Sequence, residues 1–441
     1  MQYVRPGQRR TRVNSTIRMT TSQLSIASLK SLAHTASRIR RSRLCCVGHA
    51  SGSDEGWHDR SGLRKVLSVK FATHGESPVP LNVRAAVVHA PNEPFSIETV
   101  QLEGPGEGEV LIHVKATGLC HSDLHAYEGK VPWQFPAILG HEAAGVIVEC
   151  GPGVTKFKVG DHVIPFLIPQ CGKCVYCASS KTNLCVEAFA RLRPRDSHFS
   201  LNGKPLTQLW GLGTFADYTV LPADTIAKVR DDAPFDPICY IGCGATTGLG
   251  AALFAAKIEP NSSVVVFGLG GIGLNVVQGA RLAGAKTIIG VDTNPSKEAI
   301  ARKFGATEFV NPKLVEKMTS HLMKLTGGGA DYSFECIGSP QVMRQALECT
   351  NPAWGTSYVI GVAPHGSEVN AIPGSLMMGR HWTGCYMGGA RVGRLPEIVD
   401  WYVDGKIDLV SLITHRLPLE RIGEGFEMMK SGEAIRSIIV L

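Results

Sequence analysis

Six of the thirteen cysteines and one histidine fall where metal ligands fall. Cys171, Cys174, Cys177 and Cys185 stand in "CGKCVYCASSKTNLC", a C-x2-C-x2-C-x7-C run. Four thiolates so closely clustered suit a closed, tetrahedral zinc site that holds structure. A disulfide knot belongs to small secreted domains, and nothing here resembles one. A lone C-x2-C redox pair leaves two of the four cysteines unexplained. A second set is dispersed: Cys120 in "GLCHSDLH", His141 in "GHEAAG" and Cys243 in "GCGATTG". Two thiolates and one imidazole leave one tetrahedral position open for a substrate. Taken singly, His141 or Cys243 reads as a packed core residue; beside a dinucleotide-binding motif the three read as one constellation.

That motif is "VVVFGLGGIGLNVV", a buried strand running into Gly268, Gly270 and Gly273 and then straight into a helix. The spacing permits a tight turn, a close approach of backbone to a pyrophosphate, and close packing of helix on strand. The free N–H groups at the helix start favour the phosphates. A second strand ends at Asp292, nineteen residues after Gly273, where a carboxylate can bind the adenosine-ribose diol and repel a 2′-phosphate. NAD is therefore expected over NADP.

The elements that must carry these residues fall into blocks. Residues 83–243 are rich in short apolar strands with Gly/Pro punctuation, such as "EVLIHVKATG" and "AAGVIVECG". From residue 245 strand and helix alternate. "SVVVFG", "TIIGVD", "TEFVN", "DYSFECIG" and "TSYVIGVA" predict strands, with helices between them, including one over "KLVEKMTSHLMKLTG". That rhythm predicts a doubly wound parallel sheet, a Rossmann cofactor domain in an α/β protein. The tail after Met387 predicts one or two helices and the final strand "RSIIVL". Two uncharged stretches, Ile238–Ala256 and Asn261–Ala280, have membrane-spanning length but are broken by glycines, and are expected as buried core.

Of 441 residues 44% are hydrophobic and 19% charged, ordinary for a globular protein. The net charge of +7 is misleading. Residues 1–50 contain ten Lys/Arg and no Asp or Glu, and removing that +10 leaves −3 for the rest. The basic balance therefore gives no reason to expect a nucleic-acid partner. An acid-free, Arg- and Ser-rich leader supports three readings: a translation start set too far upstream, an organelle-targeting peptide, or a disordered arm. The first is preferred, because apolar patterning begins only at "VRAAVVHA" (83–90).

From about residue 83 onward the chain resembles the zinc-dependent medium-chain alcohol dehydrogenases, nearest their glutathione-dependent formaldehyde dehydrogenase (class III) branch and its bacterial relatives. "GHEAAGVI", "GDHVIP", "CGKCVYC", "GCGATTG", "VFGLGGIGL", "DYSFECIG" and "IRSIIVL" carry the resemblance, in that order. It implies a GroES-like β-rich catalytic domain built from 83–244 and 387–441 and a Rossmann NAD-binding domain over 245–386, and leaves 1–82 outside it as the disordered leader or mis-set start. It also implies two zinc ions per subunit, a homodimer or homotetramer, and a cytoplasmic enzyme acting on a small alcohol or aldehyde, without nucleic acid or membrane. Glu142 would lie beside the catalytic zinc, and Asp123 would orient His141. His121 and Arg436 would meet the cofactor pyrophosphate. Thr247 and Val362 would border the nicotinamide, and Lys297 would reach the adenosine ribose.

The alcohol proton needs a way out of a water-poor cleft. Ser122 can take it and pass it, through the cofactor ribose, to His125 near solvent. Substrate expectations turn on two departures from the class III branch. Between Cys120 and "GHE" the chain reads "AYEGKVPWQFPAIL", one residue shorter than that branch and without its Asp. Phe189 stands where the branch has an arginine for glutathione, with Arg191 two residues on. With Trp133, Phe135 and Leu167 this predicts an apolar pocket and primary aliphatic or aromatic alcohols. The alternatives are S-(hydroxymethyl)glutathione and, more remotely, a non-catalytic nucleotide-binding relative.

Overall fold

The computed structural model describes residues 80–191 and 197–441, apart from the side chains of 189 and 191. The expectations for the leader up to residue 79, and for the side chains of Phe189 and Arg191, fall outside the described residues.

The strand Glu109–Gly118 is the hub of the β-rich part. Its alternating sequence "EVLIHVKATG" buries most of its length. It pairs antiparallel with Glu142–Cys150, register Gly118 to Glu142, and with the C-terminal strand Arg436–Val440, register Ile438 to Gly118. Three neighbouring inner strands of a seven-stranded sheet, drawn from stretches far apart in sequence, thus bring Gly118, Glu142 and Arg436 to the same end of the sheet. A six-stranded sheet built around Leu81–Val88 and Ser96–Leu102 lies in the same part of the chain. In it the short strand Ala137–Ile138 runs parallel to Thr207–Gln208.

The other part is a six-stranded parallel sheet. Its order is Glu308–Val310, Thr287–Val291, Ser263–Phe267, Tyr332–Glu335, Thr356–Val359, His381–Gly384. The chain therefore winds outward from Ser263–Phe267 in both directions, which opens a crevice at the carboxyl ends where the winding reverses. The run "SVVVF" shows why this strand is central. Val264 and Val266 join the main apolar cluster, whereas Val265 and Phe267 join a second cluster with Ile289, Val291 and Leu322. Period-two alternation with both faces apolar requires cover on both faces.

Two elements differ from expectation. The helix predicted over "KLVEKMTSHLMKLTG" is confined to Met318–Leu325. Pro312 starts a single 3-10 turn, capped by the Asn311 side chain, and β-branched Val315 then returns to extended backbone. The sixth parallel strand, His381–Gly384, was not anticipated: "HWTG" lacks alternation, and its backbone ladder to Thr356–Val359 defines it. Among the described residues no single helix is long and apolar enough to cross a membrane. The bent apolar pair Phe235–Gly242 and Gly244–Ala255 contributes Ile238, Tyr240, Leu249 and Ala252 to the core.

Candidate active site

Strand ends place the dispersed ligands. Cys120 follows the hub strand by two residues and caps the helix His121–Tyr127, and His141 immediately precedes Glu142–Cys150. Cys243 sits between the turn Cys239–Gly242 and the helix Gly244–Gly250. The ligand atoms of Cys120, His141, Glu142 and Cys243 lie within 4.8 Å of one another, and all four residues are buried. His141 Nε2 is 3.3 Å from Cys243 Sγ.

Asp123 organises the imidazole. Its side chain is fully buried, with Oδ1 2.8 Å from His141 Nδ1 and 3.1 Å from the Gly140 amide that donates to it. Oδ2 accepts from the Cys120 amide at 3.2 Å. A proton on Nδ1 given to Asp123 leaves the Nε2 lone pair facing the thiols, the tautomer a metal needs. Burial alone would lower His141, yet Asp123 and Cys120 hold it well above the usual imidazole range. Cys120 lies well below the usual thiol range, first through the hydrogen bond from Cys243 and then through His141. Soft, anion-stabilising donors converging on one buried point fit a zinc ion.

The four-cysteine run forms a separate lobe. Cys171 and Cys177 sulfurs are 4.0 Å apart and those of Cys174 and Cys185 are 3.9 Å apart, with no disulfide between them. A tetrahedron with Zn–S bonds of about 2.3 Å has S···S edges of about 3.8 Å, so the sulfurs are already spaced for zinc. Arg391 ties the lobe down by donating to the carbonyls of Cys177, Ser179 and Thr182.

The glycine loop is built as its motif requires. Gly268 has φ of +86°, and a Cβ on Gly273 would collide with the Gly268 carbonyl. Gly271 opens the helix Gly271–Leu282, and a Cβ there would lie 2.7 Å from Arg436 Nε. That Nε is buried and has no hydrogen-bond partner, so a cationic donor waits beside a helix N-terminus, where a pyrophosphate fits. At the tip of the next strand the Asp292 carboxylate accepts from the amides of Leu269 and Asn294, both at 2.8 Å, with Lys297 Nζ 3.6 Å away. Of the remaining expected cofactor contacts, Thr247 is buried on the helix Gly244–Gly250, Val362 is 66% exposed, and His121 is exposed at the start of its helix.

Comparison with known proteins agrees with this geometry. Residues 106–231 match the family described as "Alcohol dehydrogenase GroES-like domain", and residues 271–404 match "Zinc-binding dehydrogenase". The chain is 52% identical to S-(hydroxymethyl)glutathione dehydrogenase of Paracoccus denitrificans, over 82% of this chain and 100% of that protein. It is equally identical to the class-3 alcohol dehydrogenase of Cereibacter sphaeroides, with the same coverage. Benzyl alcohol dehydrogenase of Acinetobacter calcoaceticus superposes with a TM-score of 0.75 at 30% identity, covering 82% of this chain and 99% of that one. The chain belongs to the zinc-dependent alcohol dehydrogenases.

Two features of this alcohol dehydrogenase were not legible in its motifs. Arg436 and Glu142, assigned separately by resemblance, form one buried ion pair, with Nη1 3.0 and 3.2 Å from the two carboxylate oxygens. Burial pushes Glu142 up to about 7 against the pull of Arg436. The pair links the Cys120–His141–Cys243 cluster to the start of the helix Gly271–Leu282. Trp210 was not singled out at all. Its backbone is left-handed (φ 51°, ψ 25°), rare for an aromatic residue, and its ring meets His141 edge-on at 4.9 Å. The parallel pairing of Ala137–Ile138 with Thr207–Gln208 brings it there, and "LWGLG" reads in sequence only as a turn.

Asp292 gives a direct test of cofactor choice. Asp292→Gly should raise kcat/KM with NADP relative to NAD by tenfold or more. It removes a like charge from the 2′-phosphate and frees Lys297 to pair with it, each an effect on the order of 1 kcal/mol. Equal use of both cofactors by the unmodified enzyme would defeat the assignment.

Proposed function

We propose that this alcohol dehydrogenase oxidises a CH₂OH group with NAD⁺, a primary alcohol to its aldehyde or S-(hydroxymethyl)glutathione to its S-formyl thioester, and that S-(hydroxymethyl)glutathione is its first candidate substrate. The open Cys120–His141–Cys243 set carries the reaction class. A relative 52% identical over its full length and named for that substrate supports the finer reading. When bound by Cys120, His141 and Cys243, zinc would supply Lewis acidity that favours loss of the alcohol proton, and bound NAD⁺ would supply the hydride acceptor.

The chain's own residues do the rest. Asp123 fixes His141, and the Glu142–Arg436 pair holds a cation at the phosphate end of the cleft. Thr247 and Val362 border the nicotinamide, His121 meets the pyrophosphate, and Asp292 with Lys297 holds the adenosine ribose. Ser122 and His125 lie three residues apart on the helix His121–Tyr127, one turn along the same side. His125 Nδ1 is buried without a partner, which suits a ring that receives its partner with the cofactor. They form the proton route, Ser122 taking the proton and His125 passing it outward.

The pairing of Arg436–Val440 with the hub strand supports grouping 387–441 with 83–244 as the catalytic domain, leaving 245–386 to the cofactor. A second copy of the chain suits the outer edge of the six-stranded parallel sheet, where His381–Gly384 pairs on one side and Met377 and Met378 are 86% and 69% exposed. The eleven described cysteines are all unbridged, which suits the reducing cytoplasm.

A second reading, an apolar aliphatic or aromatic alcohol, rests on Trp133 and Phe135, which lie in the interval lacking the branch's Asp and pack partly buried against the apolar core, and on Leu167 in that core. Steady-state kinetics separate the two. The first reading expects kcat/KM for formaldehyde plus glutathione to exceed that for benzyl alcohol at least tenfold, one charge-paired contact's worth. The reverse order, with no dependence on glutathione, would establish the second.

A further inference from the structure

Glu335 ends the strand Tyr332–Glu335, in register with Phe267 on one side and Val359 on the other. It therefore stands at the carboxyl edge of the sheet, between the strand that leads into the glycine loop and the strand that leads to Val362. It is fully buried; "DYSFECIG" places it at a strand end without giving it a role, and neither metal-ligand set includes it.

Its hydrogen bonds are concentrated on two loops. Oε1 accepts from the amides of Ile337, Gly338 and Ser339 at 3.0, 2.7 and 3.2 Å. Its main-chain carbonyl accepts from the amides of Ile360 and Gly361, both at 2.9 Å. The second carboxylate oxygen, Oε2, is buried and faces Gly361, whose Cβ, if it had one, would be 2.7 Å away. Burial pushes the carboxyl up, and the three amides pull against that. One residue thus gathers five amides from residues 337–339 and 360–361. The two loops touch backbone to backbone: a Cβ on Gly361 would collide with the Gly338 amide, and one on Gly338 with the Val362 carbonyl.

Each loop presents one apolar side chain outward, Ile337 at 55% exposure and Val362 at 66%. Ile337 also lies over the glycine loop, its Cγ1 2.5 Å from where a Cβ of Gly268 would be. Exposed aliphatic side chains on a rigid, amide-clasped backbone at a sheet's carboxyl edge are placed to meet a flat ligand ring.

We infer that Glu335 is a positioning residue for the nicotinamide half of the cofactor: its side chain clasps residues 337–339, whose backbone packs directly on Gly361 and Val362, so that Val362 meets the ring. This rests on the reading of Val362 as a nicotinamide contact. A carboxylate suits the task because it accepts several N–H bonds at once, each stronger than a bond to a neutral oxygen. A carboxamide would accept the same three amides through an uncharged, weaker oxygen and would put an N–H₂ in the place of Oε2, which is buried without a hydrogen-bond partner.

The test is equilibrium binding of NADH and of ADP-ribose, which lacks the nicotinamide, to the zinc-loaded full chain and its variants. Glu335→Gln should weaken NADH about tenfold, the equivalent of one charge-assisted hydrogen bond, and leave ADP-ribose within about twofold. Glu335→Asp keeps the charge but withdraws it by one methylene. It should show the same selectivity at smaller size, and it answers the question if the Gln variant does not fold. Equal weakening of both ligands, or of neither, overturns the proposal. Val362→Ala separates the two layers of the argument. If it weakens NADH selectively while both Glu335 variants do not, only the role of Glu335 fails. If Val362→Ala leaves the NADH to ADP-ribose ratio unchanged, the reading of Val362 fails and the proposal falls with it.

Discussion

Cys174→Ser should strip one of two zinc ions from each subunit and leave little soluble protein, while Cys243→Ser should lose the other zinc and leave the melting temperature within a few degrees. The contrast follows from what each metal holds. The Cys171–Cys185 lobe has little regular structure of its own, only the helix Val186–Arg191 at its far end. Of its four ligands only Cys185 is fully buried. The lobe lacks the apolar interior that would hold it closed, and the rest of the chain reaches it through Arg391 and through Asn183, which donates to the carbonyls of Tyr386 and Ala390. Zinc on four thiolates contributes on the order of 10 kcal/mol to such a fold, comparable with the whole net stability of a typical domain, ~5–15 kcal/mol. A serine hydroxyl does not ionise near neutral pH, so the variant keeps three thiolates and an unfilled corner. At the other site Cys243 lies within a packed core that persists without metal, next to Tyr240 and Ala245, both fully buried. Metal analysis and thermal denaturation of both variants decide it. Two zinc ions and an unchanged melting temperature for Cys174→Ser would remove the structural role from this lobe.

How much of this was legible beforehand depends on how local each signal is. The glycine loop and the four-cysteine run are local, because spacing along a few residues sets their geometry. The parallel strand Ser263–Phe267 was legible because apolarity on both faces admits few other placements. The Cys120–His141–Cys243 set was legible only as a combination, since no one of the three differs from a core residue. The Glu142–Arg436 pair joins residues 294 apart in sequence and depends on the register of the C-terminal strand against the hub strand, which no local pattern encodes. Trp210 and Glu335 were missed for a related reason. One owes its place to a two-residue parallel pairing and the other to the carboxyl edge of a sheet whose order emerges only on folding. The helix over 313–327 was overread because its apolar spacing outweighed the turn set by Asn311–Pro312.

Asp123→Asn should lower zinc affinity at the catalytic set, and kcat/KM with it, by about 10- to 100-fold while the protein stays folded, the range seen when a residue hydrogen-bonded to a metal-bound histidine is replaced. The side chain is the same size, so packing is preserved, but its hydrogen bonding is not. Asp123 accepts three bonds: His141 Nδ1 and the Gly140 amide on one oxygen, the Cys120 amide on the other. If the Asn oxygen keeps His141 and Gly140, its N–H₂ faces the Cys120 amide, donor against donor. If the amide flips, the N–H₂ meets Nδ1 and drives the imidazole proton to Nε2, which removes the lone pair a metal requires. Either arrangement leaves a buried donor unsatisfied, at a cost of about 1–3 kcal/mol, and it deprives the imidazole of the anion that makes it a stronger ligand. A chelator titration gives the readout: the variant should lose its catalytic zinc at a 10- to 100-fold lower chelator concentration, and added zinc should restore part of the activity. The structural zinc serves as the internal control, because Asp123 makes no contact with that lobe among its hydrogen bonds. If both metals leave together, the fold has been disturbed and Asp123→Glu must be read instead. If chelator sensitivity and kcat/KM are both unchanged, His141 takes its orientation from Trp210 and the surrounding packing, and Asp123 is only a helix cap.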